Sequence, residues 1–514
     1  MKPDSRLLNI TVAAIALLPI SLFAQYAYAC IQFPYSIDYA EGILLEQARL
    51  IFTARAYGSI ETWPAIVFHY TPFFHAATNL ISGVTGLDLL ATGRALSAGF
   101  TILLCVLVGR LAIMGDRGIS LPADSLSAGL LAACSAISIP ALFNWSPQMH
   151  TDLAALGLSV LGFYLAMAAL ERPRLAVLAG IVFVLAVYTK QTSIAAPAAG
   201  FLTLLFYRPR TALAGIATSV VLGAIALVVL ALATQGRFLQ HIFFYNMNRY
   251  SLEWLVRNSS ALLLCAPIVV AGLLYVLPHA WRTAFLKSNG DGGLLSRLKS
   301  LDPILAGLSI YLLTSGLMIL MCGKSGAGPH YTMEFAVVCA VMFGRCFLRE
   351  ITTARASKGL AVRVMVLVLV LAFAGQVAIL VGFKKDANLL LSREYVAEHD
   401  ALFNFIKATE KPVISDEMVM VVKSGKDIQW EPAIFAELAS KGMWSEAPLI
   451  DRLNRKYFGA IVTAGDHGNF YFDARYTPTV YKAMAENYPV KRRYWIYTVH
   501  LPRPTAAGVP GQKP

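Results

Sequence analysis

Apolar residues dominate the first three quarters of the chain in runs of membrane-spanning length, broken by short polar or basic stretches. The pattern predicts helices over 7–29, 92–113, 126–143, 153–170, 175–189, 192–206, 211–234, 259–279, 303–322, 331–347 and 361–383. Several are shorter than the ~20 residues of an untilted span. The first run, LLNITVAAIALLPISLFAQYAYAC, is too long for a signal-peptide core and no small-x-small cleavage site follows it, so it reads as an uncleaved first span. Residues 31–91 behave differently. EGILLEQARLIFTA from Glu41 and TPFFHAATNLISGV from Thr71 have interrupted helical spacing, which predicts amphipathic helices lying in the interface, with Pro72 in the first turn of the second. From about 384 the long apolar runs end. An amphipathic helix is expected there, followed by short strand-like segments within KPVISDEMVMVVKSGK, and then strands in FGAIVTA and RRYWIYTVHLP. Residues 506–514, in TAAGVPGQKP, are expected to be disordered. The predicted fold class is an all-α polytopic membrane domain over 1–383, with about eleven transmembrane helices and interfacial helices in a first outer loop over 31–91. A small α/β domain over 384–505 follows it.

Composition agrees with this division. Hydrophobic residues make up 57% of the 514 and charged ones only 14%, where a soluble domain carries about 25% charge. The net charge of +13 would suggest nucleic acid, but no nucleic-acid-binding motif accompanies it. Its distribution gives another cause. With the N-terminus cytoplasmic, every loop on that side is basic: Arg110 and Arg117; Arg172 and Arg174; Arg208 and Arg210; Arg282, Lys287, Arg297 and Lys299; Arg345, Arg349, Arg355, Lys358 and Arg363. This is the positive-inside bias, and an odd number of spans then puts the C-terminal domain outside. The seven cysteines show no CxxC spacing, so neither a zinc nor a redox motif is supported.

The unusual polar groups all fall on the outer side of this topology. Asp38 and Glu41 follow the first span; His150 and Asp152 stand in NWSPQMHTDLAAL; Lys190 and Gln191 in YTKQTS; Arg249 in NMNRYSLEW; Lys324, His330 and Tyr331 in CGKSGAGPHYTMEF. Each has a plainer explanation. Asp38 and Glu41 suit a helix cap, His150 and Asp152 a solvated helix start, Lys190 a snorkelling cation, and the glycines around Lys324 an ordinary turn. Ionisable groups near a bilayer are costly, however, and their gathering at one face indicates a site. A carboxylate there can act as general base on an acceptor, and cations can neutralise a departing phosphate.

In order along the chain, IDYAEG after the first helix, YTPFFHAATNLISGVTG, ATGRALSAGFTILLCVLVGRL, SPQMHTDLAALGLSVLGFYLA and VYTKQTSIAAPAAG resemble the GT-C superfamily of integral-membrane glycosyltransferases. The likeness is to the bacterial members related to protein O-mannosyltransferases and to the lipid A aminoarabinose transferase. The resemblance covers about residues 5–350. It implies a polyprenyl-phosphate sugar donor, an acceptor that is a glycan, lipid or protein, and inverting transfer at the periplasmic face of a bacterial inner membrane. It assigns catalysis to Asp38, as general base, with Glu41 and Asp152. It places Lys190, Lys324 and His330 at the donor phosphate; from their place on the outer face Tyr331 is a further donor-phosphate candidate, and His150, Gln191 and Arg249 are candidates for substrate binding. Many relatives carry adjacent acids where this chain has DYAE, so Glu41 departs from the pattern. Some members require a divalent metal and others do not; no cofactor is otherwise implied, and Asp38 and Asp152 are too few ligands to hold an ion. Two other readings fit a polytopic chain: a transporter or lipid flippase, which would favour internal repeats and mid-membrane sites, and a non-catalytic envelope assembly protein on the same fold.

Overall fold

The computed structural model describes residues 5–116, 120–285, 301–356 and 359–503. The expected disordered tail, and the basic residues Arg117, Lys287, Arg297, Lys299 and Lys358, lie outside the described residues. The chain is a multi-pass membrane protein. Its helices are α1 (Ser5–Gln32), α2 (Ala40–Leu50), α3 (Phe73–Thr85), α4 (Leu89–Ala112), α5 (Pro122–Ile137), α6 (Pro140–Trp145), α7 (Thr151–Ala168), α8 (Leu175–Val187), α9 (Ala195–Tyr207), α10 (Pro209–Ala233), α11 (Leu252–Ser259), α12 (Ala266–Phe285), α13 (Pro303–Met318), α14 (Met333–Ala356) and α15 (Leu360–Phe383). Among the described residues, eight helical stretches are long and apolar enough to cross a membrane, and α5, α8 and α9 are shorter apolar helices. Thus each of the eleven apolar runs is helical. The last-but-three differs most from its expected 259–279, because α11 and a 3₁₀ turn, Ser260–Cys265, lead into α12.

Contacts between the connecting segments define two ends of the bundle. At one end Asn144, after α5, donates to the Phe383 carbonyl that closes α15 (2.8 Å), and Asn248, after α10, donates to Ser325, after α13 (2.8 Å). At the other end Arg345 of α14 donates to Met114 beyond α4 (2.7 Å), and Arg355 pairs with Asp124 of α5 (2.6 Å). Helices α8 and α9 have 13 residues each, about 20 Å at 1.5 Å per residue, well short of a hydrocarbon core of ~30 Å. The turn joining them is therefore recessed into the protein, and it carries Lys190.

Three expectations need correcting. Helix α2 does not lie in a membrane interface: nine of its 11 residues are buried, because α4 covers one side and the C-terminal domain the other. Met418–Lys423 is a helix rather than a strand. Its apolar run is buried at Met418, Val419, Met420 and Val421, and a short run buried all round carries no period that separates strand from helix. The C-terminal sheet holds β1 (Val413–Ser415), β2 (Ala460–Ala464), β3 (Val490–Tyr494) and β4 (Tyr497–Leu501) in the order β1-β2-β4-β3. Strands β1 and β2 are parallel, with Ile414 opposite Ile461; the other pairings are antiparallel. RRYWIYTVHLP is thus a hairpin and not one strand, turning at Trp495, whose φ is 48°.

The polar centre of the packing is Arg94 on α4, fully buried. Its Nε and one terminal nitrogen hold Glu41 of α2 at 2.8 and 2.6 Å, and its remaining donors reach the carbonyls of Cys30, Phe33 and Tyr35 at 2.5–2.6 Å. Glu41 also accepts from the backbone of Ile37 (2.7 Å) and Met149 (2.8 Å). Burial alone would raise the Glu41 pKa; the Arg94 charge and these donors outweigh it and hold it down at about 2. Removing one partner of such a pair costs about 3–5 kcal/mol, so Arg94→Leu should lower the thermal unfolding temperature of the detergent-solubilised protein steeply. Because Glu41 is depressed on folding, its stabilising share is complete above its ordinary pKa and is lost as pH falls through about 2. Melting curves of wild type against Arg94→Leu should therefore converge as the medium becomes strongly acidic.

Candidate active site

The loop 33–39 leaves α1 and enters α2 at the polar end of the bundle. Asp38 sits in it with its Oδ1 accepting from Ala40 N (2.9 Å) and its carbonyl accepting from Glu41 N (3.2 Å), so the capping chemistry read from the sequence is present. That cap uses one carboxylate oxygen. Oδ2 makes no hydrogen bond to the described residues, and the side chain is 31% exposed. His150 faces it, Nε2 to Oδ1 3.6 Å, and that nitrogen is buried with no hydrogen-bond partner. The position of His150 follows from Glu41: the carboxylate holds the preceding Met149 N–H, and Ser97 of α4 donates to the His150 carbonyl (3.2 Å). His150 is extended (φ −132°, ψ 149°) and α7 begins just after it.

Asp152 lies in the first turn of α7, where the helix N-terminus favours a negative charge. It pairs with Lys190 (2.5 Å) and accepts from Trp145 Nε1 (3.1 Å). The Trp145 ring stacks on His150 (centroids 4.3 Å) and on His330 (5.1 Å), which joins the Asp38 loop, the start of α7 and the segment before α14 into one surface. Burial would lower the Lys190 pKa, but the Asp152 carboxylate outweighs it and the net shift is upward. The ammonium also sits over the ring of Tyr331 at 4.6 Å. A small cavity opens here, lined by Asp152, Ser159, Lys190, Ser193, His330 and Glu334 among others. Glu334 reaches it from α14 and accepts from Tyr311 Oη (2.8 Å).

Lys324 lies on the next connection. Segment 249–251 bridges to 323–325: Tyr250 pairs with Lys324 as an isolated β-bridge, and Ser325 N donates to the Arg249 carbonyl (2.7 Å). Lys324 has no ion-pair partner among the described residues. Burial lowers its pKa, and the nearby charges of Lys190 and Lys441 lower it further, as expected for a cation kept among cations. Arg249 has its side chain exposed on the rim, and its backbone N–H donates to Glu437 of the C-terminal domain (3.0 Å). Gln191 does not line the cavity; its side chain donates to the His69 carbonyl (2.9 Å).

Asp38, His150, Asp152, Lys190, His330 and Tyr331 therefore converge, with Lys324 near them. Glu41 does not: every acceptor position of its carboxylate is taken by Arg94, Ile37 and Met149, and none faces the open side. Sequence reasoning passed over Arg94 and Trp145. The signal for Arg94 was an arginine inside the apolar run ATGRALSAGF; Trp145 differs in no sequence feature from other aromatics at helix ends. For a divalent metal the donor set does not fit. Among the described residues no three His, Cys, Asp or Glu side chains gather as ligands, and Asp152 is taken by Lys190 and Trp145. Lys190→Met would strand the Asp152 charge and should destabilise the protein by about 3–5 kcal/mol, whereas Lys190→Met with Asp152→Leu should recover most of that loss; thermal unfolding of the two variants checks this.

No protein-family model matches the sequence, and no curated protein matches it. Solved structures do match. ArnT from Cupriavidus metallidurans, bound to undecaprenyl phosphate, superposes with a TM-score of 0.59 at 14% identity, over 97% of this chain and 98% of that one. The Archaeoglobus fulgidus oligosaccharyltransferase tethered to an acceptor peptide gives 0.56 at 12% identity, over 94% of this chain and 72% of that one. The oligosaccharyltransferase AglB of the same organism, in complex with an inhibitory peptide and a dolichol-phosphate, gives 0.50 at 12%, over 88% and 68%. At such identities the likeness establishes architecture, and by it this chain has the fold of the GT-C membrane glycosyltransferases.

Proposed function

We propose that the protein is an inverting glycosyltransferase that moves a sugar from a polyprenyl-phosphate donor to an envelope acceptor at the periplasmic face of a bacterial inner membrane. The observation that carries this reading is the contrast among the charges of one cluster. Asp38 is partly exposed with a carboxylate oxygen that no described residue takes, Lys324 has no acidic partner among the described residues, and Asp152 and Lys190 between them are paired and buried. The free acid suits a proton acceptor and the free cation suits a phosphate. The solved structures of the same fold with undecaprenyl phosphate and with dolichol-phosphate support a lipid-linked donor.

In this scheme the acceptor hydroxyl or amine approaches Asp38 Oδ2 and gives up its proton there. Its oxygen or nitrogen bonds to the anomeric carbon as the bond to the phosphate oxygen breaks, and the electron pair leaves on polyprenyl phosphate. Lys324 meets the charge that grows on the leaving group, with the Lys190 ammonium and the unpartnered His330 Nδ1 beside it. A phosphate departs without protonation, so no second carboxylate at glycosidase spacing is needed. His150 stands against the other face of the base and restrains its carboxylate. Asp152 keeps Lys190 in place rather than reacting.

Asp38→Asn should reduce transfer in proteoliposomes by about 10²–10⁴-fold with insertion and unfolding temperature unchanged, measured with a panel of labelled polyprenyl-phosphate sugars and envelope extract as acceptor. Undiminished transfer by the variant would exclude Asp38 as base. Lys324→Ala should raise the donor KM more than the acceptor KM in the same assay.

A further inference from the structure

We infer that the C-terminal domain is a positioning device for the Asp38 carboxylate, with Glu417 and Arg475 as its two positioning residues. The inference rests on the catalytic reading of Asp38 given above. Its basis is how the loop 35–40 is gripped. On the membrane side, the Tyr35 carbonyl and Ile37 N–H are taken by Arg94 and Glu41. These contacts leave Ser36 and Tyr39 free, and the C-terminal domain takes both. Glu417 Oε1 accepts from Ser36 Oγ (2.6 Å) and Ser36 N (3.4 Å), while its Oε2 accepts from Tyr497 Oη on β4 (2.9 Å). The Arg475 guanidinium lies 3.8 Å over the Tyr39 ring, and Tyr39 Oη accepts from Ala433 N (3.4 Å). Tyr35 Oη donates to Asp400. Asp38 is thus flanked on both sides by residues anchored to the other domain.

The anchors share one rigid origin. Asp416 and Glu417 follow β1 directly. Asp416 N donates to Val462 on β2 (2.8 Å), and its carboxylate holds Arg475 (3.1 Å), Ala464 N (2.7 Å) and Tyr476 Oη (3.2 Å). One acid of the pair acts on Ser36 directly and the other acts on Tyr39 through Arg475. Both are buried, and Glu417 has no cationic partner in an ion pair among the described residues. A buried carboxylate is costly unless its hydrogen bonds are made; two of the three made by Glu417 go to the Asp38 loop. The domains also meet too closely for an adaptable contact: a Cβ on Gly42 would lie 2.5 Å from the Met418 Cβ. Reacting groups need placement to within about 1 Å, and a misplacement of that size can cost 10²-fold in rate.

The test compares wild type with Glu417→Gln, Glu417→Ala, Arg475→Lys and Arg475→Ala in the full chain, each first checked for membrane insertion and a monodisperse elution. Two readouts are taken: hydrogen exchange of amides 36–40, and donor-dependent transfer. Faster exchange confined to 36–40, a kcat reduced by about tenfold or more with donor KM unchanged, milder losses in Glu417→Gln and Arg475→Lys, and no further loss when either alanine change is added to Asp38→Asn are the expected results. Unchanged exchange in both alanine variants overturns the inference whatever transfer does. So does full transfer by both, or a loss that adds to that of Asp38→Asn. If wild type transfers from no donor while the alanine variants loosen 36–40, the glycosyltransferase reading fails and the grip on the loop stands.

Discussion

The architecture of this protein turns on one buried guanidinium. Arg94 has five N–H donors and makes five hydrogen bonds, two to Glu41 and three to the carbonyls of Cys30, Phe33 and Tyr35. Those carbonyls belong to the last turn of α1 and the chain beyond it, where helical partners run out. Arg94 therefore terminates α1, sets the direction in which the chain leaves it and fixes α2 through Glu41. Glu41 in turn captures Met149, which precedes His150. A buried ion pair repays its desolvation only when its remaining donors and acceptors are met, and here they are. One cation on α4 thus places both the loop that carries Asp38 and the segment that carries His150.

Six charges in and beside the cavity divide by burial. Those that are fully buried, Arg94 with Glu41 and Lys190 with Asp152, are paired at short distance and act as framework. Those that are partly open, Asp38 and Lys324, have no salt-bridge partner of fixed charge among the described residues. Solvent tolerates an unpaired charge at the mouth of a site; the interior does not. The paired groups can then hold the unpaired ones at fixed separation without competing for the same ligand. The recessed turn between α8 and α9 brings Lys190 inward to meet Asp152, and Trp145 closes the surface between the two histidines.

The C-terminal domain is more than an appendage to this arrangement. Helix α2, read as interfacial from its spacing, is covered on its second side by Met418–Lys423, and its neighbouring loop is held by Glu417 and Arg475. Its apolar face therefore meets protein where lipid was expected. The period of an amphipathic helix reports that a face is buried but not against what, which is why the first outer loop was placed against the membrane.

What the chain determined by itself were the features set by solvent. The eleven apolar runs had to be helices because a backbone in hydrocarbon must satisfy its own hydrogen bonds. The polar groups that gather at one end, Asp38, His150, Asp152, Lys190, His330 and Tyr331, were legible because charge near a bilayer is costly. Only the tertiary structure separated Asp38 from Glu41. Both are acids of one short motif, three residues apart, and no local pattern distinguishes them. Glu41 faces Arg94, more than fifty positions further along the chain, while Asp38 keeps an oxygen free. The same holds for Glu417, nearly four hundred positions beyond Ser36. The role of a carboxylate is decided by what stands opposite it, and that is fixed by packing between segments remote in sequence, which periodicity and composition do not encode.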